Sequence, residues 1–247
     1  MASLRDSAAC LGLSGDFSVL FDYFGFNCGL FDNPPVKRGL PTDPTSALVQ
    51  VSLLRQMDRL ESDHFDINLI AIGLDNFTST DFADLDYTVF KIRNIYNQRQ
   101  VGIGKVEWYG VDTADADGLD APTSEDDLEE ITHHWTVPND AIDVFVPINM
   151  NVPSNGGSIL GLSPVGGSCN KNASSMNGAV SGQWGGDQVA RTLSHEVGHY
   201  LGLPHRNSDP DNLMCQSGQA NSIRNSTELT SGQGDDVKDH CFMDSGC

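Results

Sequence analysis

The chain has 247 residues, the length of one domain or of one domain with an extension, and it can bury a sizeable core. Its formal net charge of −20 and isoelectric point near 4.3 make nucleic acid and anionic membranes poor partners. No run approaches the ~18 apolar residues that would span a bilayer, so we expect no membrane span.

Residues 1–45 are punctuated by Gly and Pro, which predicts a linker, an ordered extension or a pro-segment ahead of the main domain. The opening stretch MASLRDSAACLGLSGDF lacks the basic segment and apolar core of a signal peptide. We therefore expect that any secretion signal has already been removed.

Regular patterns begin after this extension. Helical spacing runs through 45–61, and a short apolar run at 67–74 predicts a strand. Residues 79–99 predict a helix that begins at Ser79 or Thr80 and turns its apolar side to a core. Alternating apolar residues predict strands at 101–111 and 141–150, with the acidic segment 112–130 between them.

The second half of the chain is less regular. The Gly- and Ser-rich stretch 152–178 predicts an irregular edge strand and a loop, and 178–184 predicts a last short strand. Residues 185–202 predict a helix, and the polar tail after 206 contains one candidate helix within 232–242.

The six cysteines form no CxxC pair, which argues against a cysteine-based zinc site. An even, scattered set is compatible with up to three disulfides and an oxidising compartment, or with reduced, buried thiols. The sequence leaves the pairing open among Cys10, Cys28, Cys169, Cys215, Cys241 and Cys247.

The stretch HEVGHYLGLPH, residues 195–205, concentrates three of the seven histidines of the chain. His195 and His199 are four residues apart, so on a helix they point the same way and can reach one ion. Gly202 stands where a helix would end with positive φ, and Pro204 discourages continuation. The chain can therefore turn and bring His205 beside the first two.

This arrangement predicts a catalytic metal site. Three neutral imidazoles suit Zn²⁺, and a fourth position left open for water distinguishes a catalytic from a structural site. Bound zinc lowers the pKa of that water to about 7. Glu196, next to the first histidine, is placed to take the proton as general base and deliver it to a leaving amine.

The pattern HExxHxxGxxH resembles the zinc-binding signature of the metzincin metallopeptidases. Met214, nine residues after His205 in RNSDPDNLMCQSG, matches the clan's methionine-containing turn. The short interval resembles the matrixins, whereas RTLSHEVGHYLGLPH and ELTSGQ resemble bacterial pappalysin-type members. The resemblance extends over roughly 65–240, and 195–214 is its specific part.

The resemblance implies an α+β fold with a twisted mixed β-sheet, a backing helix and an active-site helix. Residues 46–202 would form the upper catalytic subdomain, and 203–247 a small irregular lower subdomain with the third zinc ligand and the methionine turn. Met214 would pack beneath the metal without ligating it. Residues 156–167 would supply a cleft-edge strand that binds extended peptide, and 215–226 a pocket wall.

Two acidic stretches are candidate calcium sites. Asp112, Asp115, Asp117 and Asp120 surround Gly118, and calcium takes six to eight oxygens from such a loop; a solvated loop is the alternative. The stretch NSDPDN at 207–212 is a second candidate for calcium or for a turn.

Two further features have alternative interpretations. In NCGLFD, Cys28 and two neighbours match three positions of the matrixin propeptide motif, which implies a latency ligand for the zinc; a disulfide is the plainer alternative. His133 and His134 follow an acidic run and indicate either a separate site or an ordinary helix end.

Together these features predict a secreted, zinc-dependent endopeptidase with a protein or peptide substrate, and we take a monomer as the default. A non-catalytic, zinc-containing binding module is one alternative, although the presence of Glu196 argues against it. A zinc amidase acting on a non-peptide substrate such as a cell-wall crosslink is another.

Overall fold

A computed structural model describes residues 63–154 and 157–245. The extension 1–45, the predicted helix at 45–61, Cys10, Cys28 and Cys247 lie outside the described residues. The helices are α1 (Ser79–Tyr96), α2 (Glu125–His134), α3 (Gly186–Tyr200) and α4 (Ser231–Lys238). The strands are β1 (Asp63–Ile72), β2 (Val101–Val111), β3 (Ala141–Pro147), β4 (Val152–Ser154), β5 (Gly157–Ile159), β6 (Gly161–Leu162), β7 (Ala179–Ser181) and β8 (Asp244–Ser245).

The main sheet has six strands, five of which lie in the order β2-β1-β3-β7-β6. The first four are parallel, and β6 lies antiparallel to β7 at the edge. The short β8 pairs antiparallel with the start of β1, and β4 and β5 form a separate hairpin. This mixed, mostly parallel sheet with helices confirms the predicted metzincin-like α+β fold.

Helices cover both faces of the sheet, so the central strands are apolar on both sides. One face packs against α1 and α3 through a large core that includes Leu85 and Val197, both fully buried. The other face packs against α2, where Leu128 and Ile131 contact the sheet. This layering fixes α3 across the sheet.

Helix α1 starts at Ser79 as predicted, but the capping residue is Thr78. The Thr78 hydroxyl accepts a hydrogen bond from the backbone N–H of Asp81, and the Asp81 carboxylate accepts one from the backbone N–H of Thr78. This reciprocal capping box satisfies two backbone donors that the helix leaves open, so it determines where α1 begins.

The sequence predicts only a candidate end of helix α2 at His133 and His134, and not its start, because the acidic segment has few apolar positions. Ser124 and Asp127 form a capping box, and the three acidic residues of the first turn favour the positive end of the helix dipole. His133 and His134 lie in the last turn, which confirms the helix-end interpretation.

The C-terminal segment returns to the sheet after the active-site region. The Arg99 guanidinium donates hydrogen bonds to the Leu229 carbonyl, and the Lys238 ammonium lies 3.2 Å from the Asp63 carboxylate. One disulfide joins Cys169 to Cys241, whereas Cys215 is buried and free. These links attach the chain around α4 to the start of β1, to the turn before β2 and to the loop between β6 and β7.

Candidate active site

Helix α3 divides its residues between the core and a cleft. Val189, Leu193 and Val197 are fully buried against the sheet side, as their spacing predicts. The Tyr96 hydroxyl of α1 donates a 2.8 Å hydrogen bond to the Ser194 carbonyl and ties the two helices together. The histidines and Glu196 are thus carried by a helix with a fixed position.

The chain reverses at the end of α3 through Gly202, whose φ is +98°. The Gly202 N–H donates to the His199 carbonyl, and the Leu203 N–H donates to the Gly198 carbonyl, each at 2.9 Å. This pair of bonds is a Schellman motif, in which a residue without Cβ accepts the left-handed conformation without strain. The turn brings His205 back beside the helix.

The three histidines converge as the sequence predicts. One ring nitrogen of each lies within 4.8 Å of the others, and no other such group of three metal-capable side chains occurs within 63–154 and 157–245. The Nε2 atoms of His199 and His205 are 3.1 Å apart. Zn–N bonds of about 2.0–2.1 Å in tetrahedral geometry need nitrogens roughly 3.3 Å apart, so the group fits zinc.

Backbone carbonyls fix two of the three rings. His195 Nδ1 lies 2.7 Å from the Leu213 carbonyl, and His199 Nδ1 lies 2.7 Å from the Leu203 carbonyl. Because a carbonyl only accepts, each Nδ1 carries the proton and each Nε2 keeps its lone pair. This tautomer can bind a metal through Nε2. The hydrogen bond from Nδ1 to the carbonyl fixes the orientation of the ring and raises the basicity of Nε2.

Burial keeps these imidazoles neutral. It lowers the pKa of His195 well below its usual range and the pKa of His199 to about 4, and it also lowers the pKa of His205. Since only the neutral imidazole binds a metal, no proton has to leave the site at neutral pH.

Glu196 lies on the same helix and faces an open cleft of about 300 Å³. The cleft is lined by β5–β6, by α3 and by the chain after the methionine turn. Burial raises the pKa of the Glu196 carboxyl to about 8, against the opposing effect of the Arg191 guanidinium. A Cβ on Gly161 of β6 would lie 2.7 Å from Glu196 Cγ, so only glycine allows this approach of strand and helix.

Met214 lies in the turn that follows His205 and packs beneath helix α3. It is fully buried, and its carbonyl accepts a 2.9 Å hydrogen bond from the Arg206 N–H just after His205. A Cβ on Gly198 would lie 2.7 Å from Met214 Sδ, so the methionine packs directly under the helix between His195 and His199.

The remaining candidate sites lack such convergence. Asp115 and Asp117 are exposed, and the four aspartates of 112–120 do not form a metal-capable group. In 207–212, Asp209 forms an ion pair with Arg206, Asp211 accepts a hydrogen bond from Asn221, and Asn212 donates one to Gln233. These contacts agree with the interpretation of this stretch as a turn. The structure gives the calcium prediction no support.

Sequence reasoning missed two residues of the site, Gly161 and Arg191. No sequence pattern identifies Gly161, because its closeness to Glu196 depends on where the sheet places β6. Arg191 had a signal, since it precedes His195 by four residues and therefore shares its helix face.

The fold and the three-histidine group define a metzincin-like zinc metallopeptidase. The family model of Metallo-peptidase family M12 matches residues 59–236, and the chain belongs to this family.

Solved structures with a similar fold include archaemetzincin from Methanopyrus kandleri, at 15% identity and a TM-score of 0.47, with 71% of this chain and 94% of that chain covered. Metalloproteinase-II from Bacteroides fragilis is 14% identical with a TM-score of 0.46, and the match covers 94% of this chain and 59% of that chain. No curated protein sequence matches the chain.

Proposed function

We propose that the protein is a secreted endopeptidase that cleaves internal peptide bonds, with His195, His199 and His205 as zinc ligands and Glu196 as general base. One observation carries the proposal: three imidazoles converge, two of them held by backbone carbonyls, beside a buried carboxylate in an open cleft. Endopeptidase activity requires such a cleft to be open at both ends of the bound chain.

The donor set matches zinc because it consists of neutral nitrogen ligands with no fourth protein ligand in the group. When bound, zinc polarises a carbonyl and lowers the pKa of a bound water to about 7. Glu196 would be ionised beside the positive charge of the metal, and its carboxylate oxygen would accept a proton from the attacking water and deliver it to the leaving amine. His195 and His199 keep their Nδ1 protons throughout, since both are held by carbonyls.

The cleft edge supports a polypeptide substrate. β6 is the last strand of the sheet and lines the cavity, so its outer edge can pair with an extended chain through main-chain hydrogen bonds. Gln216 and Ser217 line the opposite wall with uncharged polar groups. Binding of this kind depends little on substrate side chains.

Secretion is supported by the Cys169–Cys241 disulfide, because such bonds persist in oxidising compartments. None of the helices within the described residues has the length and apolar content to cross a membrane. Mass spectrometry of the protein secreted by its source, compared under reducing and non-reducing conditions, tests both the location and the bond.

The central experiment compares casein cleavage by the wild type and by Glu196→Gln, with bound zinc quantified in each. We expect one zinc per chain in both proteins and a 10²–10⁴-fold slower cleavage by the variant, because the amide keeps the side-chain shape but takes no proton. If both bind zinc and neither cleaves casein, a binding module or an amidase replaces the endopeptidase, and a cell-wall digest separates these two. If neither binds zinc, the proposal is wrong.

A further inference from the structure

Arg191 is a buried cation of the active-site helix that hydrolysis does not use. Its side chain is 3% exposed and lies one helical turn before His195. Its guanidinium donates to three backbone carbonyls: to Leu213 at 2.7 Å, to Cys215, and to Ser226 at 3.3 Å. A buried charge of this kind is retained only where its hydrogen bonds are satisfied.

The first acceptor connects Arg191 to the metal site. The Leu213 carbonyl accepts from Arg191 Nη2 and also from His195 Nδ1, each at 2.7 Å. The Leu213 N–H is fixed as well, because it donates a 2.8 Å hydrogen bond to the Glu228 carbonyl. Leu213, whose carbonyl orients the ring of His195, is therefore held through both its N–H and its C=O, and Arg191 binds the C=O that the histidine uses.

The other two acceptors lie at the ends of one loop. Cys215 begins and Ser226 ends the stretch 215–226, of which Gln216 and Ser217 line the cleft. Both carbonyls bind the same planar guanidinium, whose forked donors lysine cannot reproduce. Arg191 thus binds both ends of the stretch 215–226 and attaches this stretch to α3.

We propose that Arg191 is a positioning residue that orients His195 for the metal through the Leu213 carbonyl and fixes the substrate wall 215–226 on the active-site helix. This role rests on the zinc site of the proposed function, but its measure is zinc affinity and not turnover. Partners of ligating histidines are worth about 10–100-fold in metal affinity. Loss of Arg191 should therefore weaken zinc binding and substrate binding together.

The test compares the full chain as wild type, Arg191→Lys and Arg191→Met. The matched control is Arg93→Lys, a change of the 1%-exposed arginine of α1. Zinc dissociation constants are measured by equilibrium dialysis against chelator-buffered zinc, and melting temperatures are measured on the metal-free proteins. We expect a 10–100-fold weaker zinc affinity for Arg191→Lys, and at least as large a loss for Arg191→Met. Arg93→Lys should stay within about threefold of the wild type even where it lowers the melting temperature.

For the active enzyme, KM of an unstructured peptide should rise in Arg191→Lys more than in Arg93→Lys. Equal zinc affinities for the Arg191 variants and the control would overturn the proposal, as would an unchanged KM. A wild type that binds zinc without cleaving peptides would contradict the proposed function, while the zinc comparison would still decide the role of Arg191. Absence of zinc binding by the wild type would contradict both.

Discussion

Two stretches of this sequence are rich in metal-ligating side chains, and they differ in whether the fold buries these side chains and brings them together. In 195–214, His195 and His199 are buried, and a backbone carbonyl holds each ring. In 112–120, Asp115 and Asp117 are exposed and their carboxylates do not converge. A count of ligand-type residues therefore does not predict a metal site. Ligands bind tightly where folding has already fixed their direction and removed their water.

The largest expected effect comes from removing a ligand on the fixed side of this comparison. His199→Ala should abolish stoichiometric zinc binding and reduce peptide cleavage by more than about 10³-fold, because two imidazoles no longer complete the site. Zinc content after dialysis and casein cleavage measure the two effects.

The matched control for this change is Asp117→Asn, which alters a ligand-type residue of the exposed stretch. It should leave zinc content and cleavage as in the wild type. Stoichiometric zinc in His199→Ala would show that the histidine group is not the binding site.

A smaller effect is expected from packing beneath the site. Gly198→Ala places a Cβ 2.7 Å from Met214 Sδ and 3.1 Å from the Tyr96 hydroxyl, both of which lie in the buried core. Overpacking of this kind costs about 1–3 kcal/mol of unfolding free energy, which urea denaturation measures.

Gly232→Ala in α4 provides the comparison, because nothing lies within 4 Å of its Cβ position. There the substitution should be neutral or stabilising by about 0.4–1 kcal/mol, since alanine restricts the unfolded chain. Equal losses in the two variants would mean that Met214 does not pack under Gly198 as described.

The smallest effect is expected in the acidic stretch. Millimolar calcium should shift the melting temperature of the protein by less than about 1 °C, because a site needs six to eight converging oxygens and 112–120 does not bring its carboxylates together. Differential scanning fluorimetry with calcium and with magnesium gives the measurement. A shift of several degrees with calcium alone that is lost in Asp117→Asn would show that 112–120 binds a metal, as 195–214 is proposed to do.

Much of the fold could be predicted from local pattern. The strand at Val101–Val111 matches its predicted bounds, and α1 and α3 lie where helical spacing placed them. Apolar periodicity does not reveal α2 within the acidic segment. The start of this helix is marked instead by the capping box of Ser124 and Asp127. The family was predictable only to the metzincin clan, since the local likenesses were to matrixins and pappalysin-type members and the chain belongs to Metallo-peptidase family M12.

The sequence by itself determined the chemistry of the site. Four-residue spacing on a helix, followed by Gly202, is sufficient to bring His195, His199 and His205 together, because these constraints are local. Only the tertiary structure decided how the site is held. The Leu213 carbonyl, the approach of Gly161 and the hydrogen bonds of Arg191 come from segments that meet through the core. Such contacts depend on how the layers pack, and no local pattern of residues encodes them.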